Sequence, residues 1–313
     1  MGLHSHHQVN SELIAGRINQ LKNILLFGGT RFFGRKLVDL LINDGHHVTI
    51  VTRGKSGNPF GDKVEHIMAD RTKKEDLLKI AESQTFDIVY DNICFSPNEA
   101  LALCEVFNGK IGKLVFTSTL STYEIDGKEK VEADFDPYHY EIQMGDSTDF
   151  SYGEGKRQAE AVFFKFATFP VVAVRIPIVM GEDDYTRRLH FHIERVAKGE
   201  PIGFVNMDAE MSYIQATEAA QFLQWAGMTD VEGPYNATTN GKISLSVLMK
   251  LVEKATGKTA KISLVGNNEI RSLYAIPTSW YMSNIKATNE GFNFTNLQDW
   301  LSPLIETIAK QSE

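Results

Sequence analysis

The sequence predicts an α/β protein in which a doubly wound parallel sheet is joined to a smaller C-terminal lobe. Two observations lead to this fold class. Short apolar runs bounded by turn residues alternate with segments of helical periodicity between residues 23 and 175, as they do in parallel sheets that carry helices on both faces. The first of these runs, Asn23–Phe27, leads straight into a glycine-rich turn, which is expected where a buried strand bends sharply into a helix.

The glycine-rich turn spans Gly28–Gly34 and reads Gly-Gly-Thr-Arg-Phe-Phe-Gly. Three leucines at helical spacing follow it between residues 37 and 41, and a second apolar run at residues 47–52 completes a strand–helix–strand unit. In such a unit the N–H groups of the turn and of the helix N-terminus face a pyrophosphate, and side chains at the glycine positions would block its approach. The sequence therefore favours a dinucleotide-binding site over an ordinary tight turn.

The second strand ends at Thr52-Arg53-Gly54, where proteins that select NAD usually place an acid to accept a hydrogen bond from the ribose 2′-hydroxyl. This chain has no acid there. Arg53 could bind a 2′-phosphate bidentately, and Arg31 adds a second cation beside the phosphates. Both residues predict NADP as the preferred cofactor with NAD as an alternative, and a merely solvated Arg53 is the other interpretation.

Three further strands are predicted at residues 64–69, 86–92 and 113–118. Thr72-Lys-Lys-Glu75 has the spacing of a capping box and predicts the start of the helix after the third strand. Asp70 lies at the carboxyl end of that strand, where the adenine edge of a dinucleotide would lie, and a simple turn acid is the open alternative.

The composition limits which binding partners and which cellular compartment are expected. The 313 residues are 42% hydrophobic and carry a net charge of −8; nucleic acid is not an expected partner, because phosphate backbones are bound by basic stripes and none is evident. Cys94 and Cys104 are too few for a disulfide framework or a structural zinc site, and both lie in segments predicted to be buried. The cysteine usage indicates a reducing cytoplasm, and no apolar run reaches about 18 residues, so we expect a cytoplasmic protein that does not span a membrane. We expect no metal, because His190 and His192 are two residues apart and point to different sides of a helix.

Tyr152 and Lys156 are four residues apart in a predicted helix, so they share one face and the ammonium can lie beside the phenol. A free phenol has a pKa of about 10, and a nearby cation stabilises its phenolate. Thr119 follows the fifth strand and could hold a substrate oxygen. We therefore expect Tyr152 to pass the proton that accompanies a hydride transfer.

Four elements in this order resemble the extended short-chain dehydrogenase/reductases, the family of nucleotide-sugar epimerases, dehydratases and reductases. The resemblance begins at residue 23 and runs through most of the chain. It rests on Gly28–Gly34, Thr117-Ser-Thr119, Tyr152-Gly-Glu-Gly-Lys156 and Val174-Arg-Ile-Pro-Ile-Val-Met-Gly181.

The resemblance implies a division of the chain and a role for each catalytic residue. A Rossmann domain for the dinucleotide would cover residues 23–175, with return elements near 213–237, and residues 176–313 would form most of a substrate-binding lobe after an N-terminal extension at residues 1–22. Thr119 would hold the substrate oxygen, Tyr152 would act as general acid and base, and Lys156 would activate the tyrosine and bind the nicotinamide ribose. The residues expected to bind the cofactor, from the strand ends and the resemblance together, are Gly28, Thr30, Arg31, Phe32, Phe33, Gly34, Arg53, Asp70, Arg71, Asn92, Thr117, Tyr152, Lys156 and Ile176.

The chain also departs from the family pattern. The 4,6-dehydratases of the family place an Asp-Glu pair directly after the catalytic Thr, whereas Leu120 and Ser121 follow Thr119 here. Galactose-type epimerases carry an Asn after the sixth strand to bind the nucleotide-sugar, whereas this chain reads Arg175-Ile-Pro-Ile178. We therefore expect no dehydratase activity and a different grip on the substrate.

Two segments are candidates for substrate contacts. Residues 124–149 are rich in acidic side chains and form either a solvated loop or a wall or lid of the pocket. Arg187 and Arg188 open a helix on which Arg188, His192 and Arg195 are expected to share a face that could bind an anionic substrate. A plain solvated face is the alternative for the arginines.

Together these features predict an NAD(P)-dependent epimerase or reductase that acts on a carbinol or keto carbon of a small polar substrate, with a nucleotide-sugar as the leading candidate. A homodimer is left open. The alternative is a non-catalytic dinucleotide-binding protein, either regulatory or RNA-associated like chloroplast relatives that have a similar glycine turn.

Overall fold

The computed structural model describes residues 20–264 and 269–312. The predicted N-terminal extension, residues 1–22, therefore lies outside the described residues except for its last three positions. The described strands are β1 Asn23–Phe27, β2 His47–Thr52, β3 Glu65–Met68, β4 Phe86–Asp91, β5 Ile111–Thr119, β6 Glu129–Lys130, β7 Val171–Ile176, β8 Ile178–Met180, β9 Pro201–Gly203, β10 Glu210–Met211, β11 Tyr213–Gln215, β12 Gly233–Asn236, β13 Ile243–Ser244, β14 Lys261–Ser263 and β15 Tyr281–Met282. The described helices are α1 Phe32–Asn43, α2 Lys74–Ser83, α3 Pro97–Phe107, α4 Tyr152–Phe166, α5 Arg188–Lys198, α6 Ala216–Met228, α7 Leu245–Thr256, α8 Ile285–Asn289 and α9 Leu297–Gln311.

A seven-stranded sheet in the order β12-β7-β5-β4-β1-β2-β3 forms the centre of the fold. Every pair of neighbouring strands in it is parallel. Strand order reverses between β1 and β4, and a crevice forms at such a switch point beyond the carboxyl ends of the strands. The predicted doubly wound α/β fold is confirmed.

Helices cover both faces of the sheet because its central strands are apolar on both sides. From β1, Ile24 and Leu26 pack in one core with α1 and α6, whereas Leu25 and Phe27 pack in the core shared with α2, α3 and α4. Alternate residues of a strand point to opposite faces. The four apolar residues of β1 therefore pack alternately into the two cores on the two faces of the sheet.

Three helices from the C-terminal part of the chain pack together outside the main sheet. α5, α7 and α9 bury a separate core that includes Ile193, Leu248 and Ile305. The chain between them returns to the sheet, because α6 packs beside α1 and β12 pairs with β7. This route places residues from both parts of the chain around the carboxyl ends of the strands.

One local prediction is wrong. Thr72 does not cap a helix, since α2 begins at Lys74 with Lys73 before it, and the Thr72 hydroxyl donates to Asp70 Oδ1 at 2.7 Å. Of the two alternatives for residues 124–149, the structure gives no support to a wall of the two clefts described below. Part of the segment is anchored to Arg175, whose guanidinium donates to the carbonyl oxygens of Glu132 and Phe135 at 2.9 and 3.1 Å.

Cys94 and Cys104 are free and buried, as predicted. Among the described residues, no helix is both long and apolar enough to cross a membrane. The same part of the chain contains no cluster of three or more His, Cys, Asp or Glu side chains placed to hold a metal ion.

Candidate active site

The turn between β1 and α1 follows a path that only glycine allows. Gly28 has φ of +82°, and a Cβ atom on Gly34 would lie 2.2 Å from the Gly28 carbonyl oxygen. Side chains at these positions are therefore excluded, which leaves the turn backbone and the α1 N-terminus open to a ligand. Oriented N–H groups with no side chain above them suit a pyrophosphate.

A first cleft of about 320 Å³ opens beside this turn at the ends of β2 and β3. Thr30 and Ser56 join across it through their hydroxyl groups, which are 2.9 Å apart. The residues that line the first cleft are Gly28, Thr30, Arg31, Val51, Thr52, Arg53, Lys55, Ser56, Ala69, Asp70, Arg71, Thr72 and Ile93. Among them, Arg53 and Lys55 are exposed cations that the fold brings to the end of β2.

Asp70 borders the first cleft with one carboxylate oxygen already occupied. Its Oδ1 accepts from the Thr72 hydroxyl and from the Thr72 N–H at 2.7 and 3.0 Å. These hydrogen bonds lower the pKa of Asp70 because they stabilise the ionised carboxylate. Asp70 therefore presents a negative charge with a free oxygen at the cleft.

Arg71 also borders the first cleft, but its guanidinium is held from below by Asp91. Nε and Nη2 of Arg71 both donate to Asp91 Oδ2, at 2.8 and 2.6 Å, and both side chains are buried. Burial alone would lower the pKa of Arg71, but the carboxylate outweighs it and the pKa is raised. The pair ties the residues after β3 to the end of β4 and forms the floor of the cleft.

A second cleft of about 350 Å³ lies on the other side of the glycine turn. Residues from both parts of the chain meet there. The residues that line the second cleft are Phe32, Phe33, Asn92, Thr117, Thr119, Leu120, Ser121, Tyr152, Lys156, Ile176, Pro177, Ile178, Val179, Asp184, Tyr185, Thr186, Arg188, Met211 and Trp280.

Close packing fixes the start of α4 against the end of β5. A Cβ atom on Gly153 would lie 2.5 Å from the Ser121 carbonyl oxygen, and one on Gly155 would lie 2.2 Å from that of Phe95. Ser151 caps the helix by accepting from the Glu154 N–H at 3.3 Å. The helix therefore approaches the backbone closely, and Tyr152 comes to lie beside Thr119 in the second cleft.

Lys156 is 3% exposed and lies beneath the phenol of Tyr152. Its Nζ donates to the carbonyl oxygens of Cys94 and Thr117, at 2.8 and 2.6 Å, and lies 5.8 Å from the Tyr152 ring centroid. Tyr152 itself is 53% exposed, so its ring reaches out over the cleft. A buried ammonium is thus fixed next to an accessible phenol.

Hydroxyl and amide groups connect this pair to the glycine turn. Thr119 Oγ1 accepts from the Ser121 N–H at 3.0 Å, which leaves the hydroxyl hydrogen available to a ligand. Thr117 donates to Asn92 Oδ1 at 2.6 Å, and Asn92 donates in turn to the Gly28 carbonyl oxygen at 3.4 Å. The polar wall of the second cleft is therefore continuous with the turn.

Of the residues expected to share a face of α5, only Arg188 reaches the second cleft. Arg187 pairs with Glu194, and Arg195 pairs with Glu200 and donates to the Pro201 carbonyl oxygen. The prediction that these arginines line one substrate face is therefore wrong for Arg195.

His192 does not face solvent or a ligand. It is fully buried, its Nε2 lies 2.6 Å from the Ser272 hydroxyl, and its ring stacks on Tyr274 with centroids 4.5 Å apart. Burial lowers its pKa to about 4, because the charged imidazolium loses its hydration there. The helical periodicity was compatible with this face being either core or surface, and the C-terminal core covers it.

Sequence reasoning missed several residues that line the second cleft. Asp184, Tyr185 and Thr186 come from the loop before α5, and Met211 and Trp280 are brought together by a parallel β-bridge. The acidic Glu-Asp-Asp-Tyr run before Arg187 is the one sequence feature from which the loop could have been predicted to line the cleft. The bridge joins residues far apart in the chain, so no local sequence pattern predicts it.

Comparisons with known proteins agree with this geometry. Residues 24–93 match the model of the NAD dependent epimerase/dehydratase family. The chloroplast stem-loop binding protein of 41 kDa b from Arabidopsis thaliana is 25% identical over 267 residues, which cover 80% of this chain and 67% of that protein. The UDP-glucose 4-epimerase of Thermotoga maritima is 20% identical with a TM-score of 0.71, covering 93% of this chain and 100% of that chain. A UDP-glucuronic acid 4-epimerase from Bacillus cereus is 18% identical with a TM-score of 0.69, covering 92% and 99%.

The resemblance to the extended short-chain dehydrogenase/reductases is thereby confirmed. The matched segment contains the glycine turn and both strands that flank the first cleft. Thr119, Tyr152 and Lys156 lie beyond the matched segment, so the family match does not include them.

Proposed function

We propose that this protein is an NAD(P)-dependent enzyme that transfers a hydride between the nicotinamide and a carbinol or keto carbon of a small polar substrate. One observation carries the proposal: Thr119, Tyr152 and Lys156 meet in the second cleft, directly beside the glycine turn. The fold of the described residues and the family match of residues 24–93 support it.

The two clefts fit the two halves of a dinucleotide. The glycine turn lies between them and offers an open backbone to the diphosphate, so the first cleft would hold the adenosine half and the second the nicotinamide half. A bound nicotinamide would supply or accept the hydride. Among the residues predicted to bind the cofactor, Arg71 forms the floor of the first cleft. Asp91 holds Nε and Nη2 of its guanidinium, whereas Nη1 has no hydrogen-bond partner among the described residues and would be available to the cofactor.

Lys156 is preorganised for its role. An ammonium has three N–H donors, and two of them are directed at the carbonyl oxygens of Cys94 and Thr117. The third is left for a ribose hydroxyl or the Tyr152 phenol. Because the ammonium is fixed before any ligand arrives, its charge can stabilise a phenolate without reorganisation.

Tyr152 and Thr119 would handle the substrate oxygen. When a carbinol is oxidised, its C–H bond gives the hydride and its O–H proton passes to Tyr152; reduction of a ketone runs in the opposite direction. Thr119 donates its hydroxyl hydrogen to the same oxygen and orients it. The same groups serve an epimerase, which must return the hydride to the other face of the carbon, and a reductase, which releases its product.

We propose NADP as the preferred cofactor and NAD as a weaker alternative. Arg53 and Lys55 are exposed at the end of β2. A 2′-phosphate would therefore meet two cations. Among the described residues that line the first cleft, Asp70 is the one acid, and its ionised carboxylate is the feature that would favour NAD. Solved relatives, including a UDP-glucose 4-epimerase of Thermus thermophilus, have been captured with NAD, which keeps that cofactor open for this chain.

A nucleotide-sugar is the proposed substrate class. The Thermotoga maritima relative was solved with UDP-glucose, and Arg188 places a cation in the second cleft of this chain. Arg187 points instead to Glu194 and would contribute less. We assign cofactor binding mainly to residues 23–175 and substrate binding mainly to 176–313, in a cytoplasmic protein that can act as a monomer or a homodimer.

The test begins with mass spectrometry of any dinucleotide or nucleotide-sugar that copurifies with the protein. Turnover of nucleotide-sugars and simple ketones is then measured with NADPH and NADH. A tightly retained cofactor and interconversion of sugar epimers would identify an epimerase, whereas net cofactor oxidation would identify a reductase. Failure to bind either dinucleotide would refute the proposal.

The second candidate is an RNA-associated protein without turnover, and the name of the Arabidopsis thaliana relative is the observation that favours it. The net charge of −8 opposes it, because phosphate contacts require clustered cations. Titration with a stem-loop RNA at increasing salt separates the two. Salt-dependent binding in the micromolar range or tighter, with no turnover of any substrate, would favour the RNA-associated candidate.

A further inference from the structure

The loop between β8 and α5, residues 181–187, lines the second cleft and touches the glycine turn and α1. Arg31 lies over the ring of Tyr185, with its Cζ atom 5.4 Å from the centroid. Lys36 of α1 pairs with Asp183 at 3.7 Å. The loop is thus attached by two cationic contacts to the element that would bind the diphosphate.

Hydrogen bonds within the loop keep its shape. Asp184 Oδ1 accepts from the Thr186 N–H and hydroxyl at 2.9 and 2.6 Å, and the Arg187 N–H donates to the Asp184 carbonyl oxygen at 3.0 Å. Tyr185 is 62% exposed even so. Its ring is therefore held at the surface by the loop backbone and by Arg31, without being part of a core.

The contact lies where a dinucleotide would pass from one cleft to the other. Arg31 lines the first cleft and Tyr185 lines the second. Arg31 precedes α1 but makes no side-chain cap to it, so its guanidinium is not used by the helix. A guanidinium stacked on a ring keeps its N–H donors at the edge, where they remain free for phosphate oxygens.

We propose that Tyr185 is a cofactor-positioning residue that acts through Arg31: its ring holds the guanidinium over the diphosphate and slows release of the dinucleotide. This inference rests on the proposed function, since it needs a dinucleotide in the two clefts. The inference assigns part of the cofactor site to the loop before α5. This loop follows β8 and belongs to the part of the chain, residues 176–313, to which substrate binding is assigned.

The test is the rate at which bound NADPH dissociates, followed by fluorescence after mixing with excess NADP. Tyr185→Leu should speed dissociation by about fivefold, the factor that a cation–π contact at a partly exposed site supplies. Tyr185→Phe keeps an aromatic ring and should stay within about twofold of wild type. Tyr138→Leu is the matched control, because Tyr138 is similarly exposed at 57% and lines neither cleft.

A double-mutant cycle with Arg31→Ala decides whether Tyr185 acts through Arg31. In the Arg31→Ala background, Tyr185→Leu should have no further effect on the dissociation rate. An equal acceleration in both backgrounds, or no acceleration in either, would overturn the inference while leaving the proposed function intact. If wild type bound neither NADPH nor NADH, the proposed function and this inference would both fall.

Discussion

Replacement of Lys156 by Met tests the contribution of this side chain to stability as well as its role in cofactor binding. The ammonium is almost fully buried and donates to two carbonyl oxygens at 2.8 and 2.6 Å. Hydrogen bonds to a charged group contribute roughly 1.5–3 kcal/mol each. Part of this stabilisation is offset in the wild-type protein, because burial of the ammonium costs desolvation free energy that a methionine does not incur. We therefore expect Lys156→Met to lower the free energy of unfolding by about 2–3 kcal/mol.

Urea denaturation of the cofactor-free protein measures this loss, with Tyr152→Phe as the matched control. Tyr152 is half exposed, and the structure gives its hydroxyl no hydrogen bond among the described residues, so its removal should change stability by less than about 0.5 kcal/mol. Cofactor affinity should fall for Lys156→Met and stay unchanged for Tyr152→Phe. If Lys156→Met unfolded at the same urea concentration as wild type, the two carbonyl contacts would not stabilise the site as argued.

Three further predictions follow from the same structure. Tyr152→Phe should lower turnover of the best substrate by at least about 100-fold, because it removes the general acid and base; wild-type turnover in this variant would show that another group moves the proton. Arg53→Ala should reduce the ratio of NADPH to NADH affinity by roughly tenfold, while Arg271→Ala, which lines neither cleft, should leave the ratio unchanged. His192 has a folded-state pKa of about 4, below its unfolded value, so the unfolded chain binds the extra proton between those values and stability should fall as the pH drops from 6.5 to 4. Urea midpoints at several pH values should fall less steeply for His192→Gln than for wild type, and parallel curves would contradict the assignment.

The parts of the site that the sequence predicted depend on short-range geometry. Gly28 and Gly34 follow from the path of one turn, and Tyr152 and Lys156 share a face because a helix repeats every 3.6 residues. Thr119 was placed because the carboxyl ends of parallel strands meet at one edge of the sheet. Each of these predictions needs only a strand, a helix and the rule that connects them.

The parts that were missed depend on contacts between distant residues. The pairing of Arg71 with Asp91 could not be predicted, because Asp91 lies 20 positions away at the end of another strand. Thr72 had the right spacing for a cap, yet its N–H and hydroxyl both donate to Asp70 in a turn that precedes the start of α2 at Lys74. His192 was placed on an outer face because periodicity locates a face of a helix without saying what packs on it.

Arg175, in the stretch where a different grip on the substrate is expected, has a structural role. Its guanidinium is fully buried, pairs with Glu160 at 2.6 Å and anchors residues 132 and 135 through their carbonyl oxygens. It is therefore committed to structure and cannot reach a ligand. Ile178, three residues later, lines the second cleft with an apolar side chain.

Polar contacts to the substrate must consequently come from elsewhere in the second cleft. Besides Lys156, the described residues that line the cleft include two charged ones, Asp184 and Arg188, together with the apolar surfaces of Met211 and Trp280. An anionic group would be attracted to Arg188 and repelled by Asp184, so its position in the cleft is narrowly defined. Substrates should therefore be ranked by whether a negative charge can reach Arg188 while the reacting carbinol lies between Thr119 and Tyr152.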